Sequence, residues 1–145
     1  MNGKISGRFD NILIGYDGSQ ESERALEVGL SMARGMESTV EVLVVAFPPE
    51  PATAIGLQAV LDDARKHYGK ALGRIVDDAK KEGIRLETDI AVGHPAEQII
   101  RRAEQNHVDL IVVGRRGTST FEKLLLGSVS ERVLRCAPCP VLIAG

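Results

Sequence analysis

Four short apolar runs punctuate this chain: NILIGY at 11–16, VEVLVVAF at 40–47, DLIVVG at 109–114 and PVLIA at 140–144. Runs this short, rich in Val, Ile and Leu at consecutive positions, are strands buried on both faces. A fifth, IRLETDIAV at 84–92, alternates through Ile84, Leu86, Thr88 and Ile90 and reads as a half-buried strand. Helical spacing fills the chain between them. Ser19 or Ser22 caps a helix with Ala25, Leu26, Gly29, Met32 and Ala33 on one face, and Gly35 is placed to end it. After Pro48-Pro49 and the loop PEPATAIG, a long helix carries Leu57, Leu61, Ala64, Tyr68, Ala71 or Leu72, Ile75 and Ala79 in one stripe. Gly69 and Gly73 inside it suit close packing against a sheet. Gly93-His94-Pro95 opens a third helix with Pro at its first position, and SVSERVLR is the fourth.

The order βαβαβαβαβ predicts a parallel sheet with helices on both faces, an α/β doubly wound, Rossmann-like fold. Ligands of such sheets bind beyond the carboxyl ends of the strands, where strand order reverses. Asp17 after the first strand and Gly114 after the fourth both occupy carboxyl ends. If those strands are neighbours, their turns face one crevice.

Length and charge bound the rest. A chain of 145 residues is expected to be one domain with a core of its own, here a flexible leader over 1–9 and a domain over 10–145. A net charge of −2 gives no reason to expect nucleic acid or an anionic membrane as partner. Arg101, Arg102, Arg115, Arg116, Arg132 and Arg135 nonetheless cluster enough for a small anion. MNGKISGRFD has no apolar centre, and no run approaches the roughly 18 residues of a membrane helix, so a cytoplasmic protein is the default expectation. Cys136 and Cys139 form a C-x-x-C pair, but they follow SVSERVLR at a helix C-terminus, where the dipole disfavours a thiolate. They read as small apolar residues closing a turn stiffened by Pro138 and Pro140. His67, His94 and His107 have no ligand spacing to them, so no zinc site is expected.

The segment GRRGTSTFEKLLLGS at 114–128 calls for a separate explanation. Gly114 and Gly117 allow tight turns and bare N–H groups. Ser128-Val129-Ser130-Glu131 has the capping-box spacing, which makes Ser128 the expected N-cap. Gly127 leaves that helix end open to an anion, and Arg115 and Arg116 add positive charge. The alternative is a loop whose glycines only turn and whose arginines are solvated. No Walker lysine and no G-x-G-x-x-G after the first strand occur, which excludes a P-loop NTPase and a standard NAD domain.

Gly114-x-x-Gly117, nine residues, then Gly127-Ser128 resembles the ATP-binding signature of the universal stress protein family, G-x2-G-x9-G-S/T. The likeness extends to ILIGYDGS, Gly93-x-Pro95, DLIVVG and PCPVLIAG, about residues 10–145. The resemblance implies a five-stranded sheet of order 3-2-1-4-5, a homodimer and, in the family's nucleotide-binding branch, bound ATP. The apolar edge segment PVLIA makes the C-terminal strand the expected dimer contact. The glycine cradle, with only arginines nearby to offset a triphosphate, leads to Mg or Mn being expected with the ATP. The resemblance also implies that Gly15, Tyr16 and Asp17 lie against adenosine and that Val45 flanks adenine. Val113, Gly114, Arg115, Arg116 and Gly117 would wrap the ribose and phosphates. Gly127, Ser128, Val129 and Ser130 would donate to the phosphates. Asp17 reaches the ribose or a phosphate-bound metal, or serves only as the turn-forming residue before Gly18. The expected function is an ATP-binding regulatory module in the stress response. The alternative is a slow ATPase or nucleotide-transferring enzyme, disfavoured because Asp17 and Glu131 are the nearest carboxylates and Glu131 has a capping role.

Overall fold

The computed structural model describes residues 9–115 and 126–145. The chain runs β1 (Asn11–Gly15), α1 (Gln20–Met36), β2 (Thr39–Ala46), α2 (Ala54–Lys81), β3 (Arg85–Val92), α3 (Pro95–Gln105), β4 (Leu110–Gly114), α4 (Ser128–Cys136) and β5 (Val141–Ala144). The strands form one sheet in the order β3-β2-β1-β4-β5, every pairing parallel. Strand order therefore reverses between β1 and β4, at the expected crevice.

The period of two within each strand sorts side chains onto two cores. Ile12, Ile14, Val40, Val42, Val44, Leu110 and Val112 face α1 and α2. Leu13, Leu43, Ile111 and Val113 meet Ala96, Ile99 and Ala103 of α3 and Val133 of α4 on the other side. Both cores are fully buried at their centres, and each such aliphatic side chain contributes roughly 1.5–3 kcal/mol. Packing reaches back to Phe9, at the end of the expected leader, which joins the first core. Its carbonyl accepts from the Ser38 hydroxyl.

β3 alternates because one of its faces lacks a helix. Leu86 and Ile90 pack beneath α2, whereas Arg85, Glu87 and Asp89 are exposed. An ion-paired network borders this bare face. Arg102 of α3 binds Glu41 of β2 and, at 2.8 Å, Asp89 of β3, and Asn106 donates to Glu41 at 3.0 Å. Burial works against the Arg102 charge, but Asp89 and Glu41 outweigh it and raise the guanidinium pKa further. The arginines that cluster in the sequence are largely engaged elsewhere: Arg132 with Glu97, and Arg135 with Glu131.

Two helices differ from their expected form. α1 passes Gly35 and ends at Met36, with Glu37 in the left-handed conformation at φ 57°. In α2, only Ala64, Leu72, Ile75 and Ala79 are buried, while Leu57, at the head of the expected stripe, is exposed. The close approach to the sheet expected of Gly69 and Gly73 is made by Gly29 of α1 instead. A Cβ there would lie 2.4 Å from Ile14 Cδ1, whereas Gly69 and Gly73 have nothing within 4 Å of theirs. Gly69→Ala and Gly73→Ala should therefore each stabilise the protein by about 0.5–1 kcal/mol. Urea denaturation checks this, and a loss of stability in both variants would mean that the positions are occupied.

Candidate functional site

α2 is longer than the sheet beneath it. Its 28 residues span about 42 Å, whereas the eight residues of β3 span about 26 Å. The N-terminal turns of α2, begun by the Thr53 side chain accepting from Gly56 N, overhang the carboxyl edge of the sheet. Beneath that overhang lies a cavity of about 940 Å³, within the usual range for small-molecule sites.

Its floor comes from strand ends: Gly15 of β1 with Tyr16 and Asp17 after it, Val45 of β2 with Phe47 just beyond that strand, and Val113 and Gly114 of β4. Pro95 and Ile99 of α3 close one side, and Val60, Asp63, Lys66, His67 and Tyr68 of α2 the other. Gly127, Ser128, Val129 and Ser130 bring the start of α4 to it. Ten of the expected site residues thus share one chamber. Arg116 and Gly117 lie outside the described residues. Arg115 is not in the lining: its side chain packs along Gly145, with a buried Nε that has no hydrogen-bond partner among the described residues. Its backbone serves the site instead, because its carbonyl accepts from Gly127 N at 2.8 Å and from the Ser130 hydroxyl at 2.7 Å.

The α4 N-terminus differs from the expected capping box. Gly127 is the N-cap, at φ −67° and ψ 161°, and no side chain among the described residues caps the helix. Ser128 is the first helical residue, and Ser130 turns its hydroxyl to the Gly127 and Arg115 carbonyls. Glu131 pairs with Arg135 at 2.9 Å rather than reaching back. The N–H groups of Ser128, Val129 and Ser130 consequently have no acceptor among the described residues. α3 also lacks a side-chain cap, but it begins with Pro95, which has no N–H to satisfy. α1 is closed by Ser19, whose hydroxyl accepts from Ser22 N at 3.1 Å.

Gly114 lines the cavity and also has a packing role. Its φ is not in the left-handed region, and a Cβ on it would lie 2.8–2.9 Å from the Glu21 backbone. The glycine lets the end of β4 meet the first turn of α1. Asp17 performs the turn role, with Oδ1 accepting from Ser19 N at 2.9 Å.

Tyr16 is buried and donates to Glu23, which also pairs with Arg74 at 3.4 Å. Burial first, and Glu23 next, push its phenol up to about 12. Tyr68 meets Tyr16 edge-on at 6.5 Å and His67 at 4.7 Å. Its hydroxyl donates to the Asp17 carbonyl at 3.3 Å and so ties the α2 wall to the β1–α1 turn. The α2 residues of this wall were missed in the sequence, where they read as core stripe and solvated face. Of the two cysteines, Cys136 ends α4 in solvent. Burial, and then Asp109, push the Cys139 thiol up, the opposite of what a nucleophilic thiol needs.

An open parallel sheet with a chamber at its switch point and the start of α4 beside it makes this an α/β domain with a candidate ligand site. The chain belongs to the universal stress protein family, whose profile matches residues 8–145. It is 34% identical to universal stress protein YxiE of Bacillus subtilis, across 93% of this chain and 98% of that one. Its fold superposes on UspA of Lactobacillus plantarum with a TM-score of 0.86 at 26% identity, covering 95% and 99% of the two chains. A universal stress protein solved in complex with cAMP superposes at 0.74 with 30% identity, covering 94% of this chain and 97% of that one. No helix among the described residues is long and apolar enough to cross a membrane.

Proposed function

We propose that this protein binds ATP at the carboxyl edge of its sheet and acts as a nucleotide-responsive regulatory module. One observation carries the reading: the first three residues of α4 line the cavity, and no side chain among the described residues caps their N–H groups. Such an end, with its positive dipole, is an anion site. The likeness to the relative solved with cAMP supports a nucleotide as the anion. In this reading Gly15, Tyr16 and Asp17 lie against adenosine and Val45 flanks adenine. Val113 and residues 114–117 wrap the ribose and phosphates, and Gly127, Ser128, Val129 and Ser130 donate to the phosphates. Magnesium or manganese arrives with the phosphates, whose oxygens suit such hard cations. Asp17, with one oxygen committed to Ser19, offers its other oxygen to the ribose or that metal.

The domain over 10–145 works in the cytoplasm as a homodimer joined through β5. That strand ends the sheet, and an apolar edge is a template for pairing. A monomeric mass by light scattering at micromolar concentration would remove the dimer. Calorimetry with ATP and magnesium tests the central claim: saturable binding is expected, and its absence at millimolar ATP would overturn it. Asp17 and Glu131, the carboxylates nearest the phosphate end in the sequence, are engaged with Ser19 N and Arg135, so turnover should be slow or nil. Multiple-turnover hydrolysis at about 1 s⁻¹ or faster would make the protein an enzyme.

A further inference from the structure

We infer that Lys66, on the overhanging part of α2, is the cationic arm of this cavity and binds the polyphosphate tail of the nucleotide, so that the site ranks ligands by phosphate count. The inference rests on the nucleotide reading and adds a residue to it. A triphosphate brings several negative charges, and three backbone N–H groups offset only part of them. The arginines beside the glycine motif invite that role, but the Arg115 side chain lies along Gly145. Arg102, Arg132 and Arg135 hold carboxylates of their own.

Among the described residues, Lys66 and His67 are the only lining side chains able to carry positive charge. Asp17 and Asp63 line the same chamber. Without Lys66, a polyphosphate would therefore face two carboxylates with no permanent cation opposite them among the described residues. Lys66 is exposed and has no ion pair among the described residues. The adjacent Arg65 pairs with Asp62 at 3.7 Å and lines a separate groove beside Leu72 and Ile90. Neighbouring cations thus serve different surfaces. A lysine suits a phosphate tail because its ammonium is a point charge with three donors on a flexible stem. The wall that carries it is fixed at the site, since Tyr68 is hydrogen-bonded to the Asp17 carbonyl.

Calorimetry with ATP, AMP, adenosine and inorganic tripolyphosphate tests this on the full chain, with circular dichroism as the check on folding. Wild-type protein should bind ATP more tightly than AMP. Lys66→Met should weaken ATP and tripolyphosphate at least about tenfold and change adenosine by less than about twofold. Lys66→Arg should retain most of the ATP affinity. Unchanged ATP affinity in Lys66→Met overturns the inference, as does an equal loss for ATP and adenosine, which would make Lys66 a support of the wall. If wild type binds tripolyphosphate through Lys66 but no adenosine, the nucleotide reading fails and the arm stands. If wild type binds neither ATP nor tripolyphosphate, both fail.

Discussion

Gly127→Val should leave the protein folded and weaken ATP binding by at least about a hundredfold. The backbone at position 127 is extended, at φ −67° and ψ 161°, a conformation open to any residue. Exchanging glycine for a branched residue at an N-cap costs on the order of 1 kcal/mol, well within what a domain of this size tolerates. The consequence for a ligand is much larger, because the new methyl groups would stand where α4 presents its free N–H groups. Two or three charge-assisted hydrogen bonds, each about 1.5–3 kcal/mol, would be lost together. Gly127→Ala should fall between the two. Calorimetry with ATP, beside circular dichroism, reads both quantities. A folded Gly127→Val variant with wild-type affinity would place the phosphates elsewhere.

Gly114→Ala should act in the opposite sense, on stability first. The added Cβ would meet the Glu21 carbonyl carbon and Cβ at 2.8 Å and the carbonyl oxygen at 2.9 Å. These atoms belong to the first turn of α1, which cannot yield as a flexible side chain would. Either the helix or the end of β4 must move. Overpacking of this kind costs on the order of 3 kcal/mol, a fall of roughly 10 °C in Tm. The displaced turn also holds the Asp17–Ser19 and Ser19–Ser22 hydrogen bonds, so ligand binding should weaken with it. A melting temperature within about 2 °C of wild type would show that β4 and α1 are not in such close contact.

Much of this architecture is legible in the residues. β1, β2 and β4 are apolar at consecutive positions because helices cover both faces. β3 alternates because α2 covers only one. The site is legible where chemistry fixes it: the 127–130 segment shows itself by its serines and glycine, and Asp17-Gly18 by its turn. The N-cap falls one residue early because the Ser130 hydroxyl bonds to carbonyls, a choice that the S-x-x-E spacing does not encode. The α2 wall stayed hidden for another reason. Helical periodicity marks which face is apolar but not where the supporting sheet stops, so Leu57 reads as core although it is exposed. Side-chain direction hid the packing of Arg115 along Gly145, since a charged residue's spacing does not say which way it leans.

The overhang separates two duties that most small domains mix. From Ala64 onward α2 supplies buried residues to the core, but residues 54–63 supply none. Sequence changes in those first turns can therefore alter what the chamber recognises without drawing on folding stability. A laboratory search for altered ligand preference would do best to randomise the cavity-lining Val60 and Asp63 and leave the core-bearing turns alone.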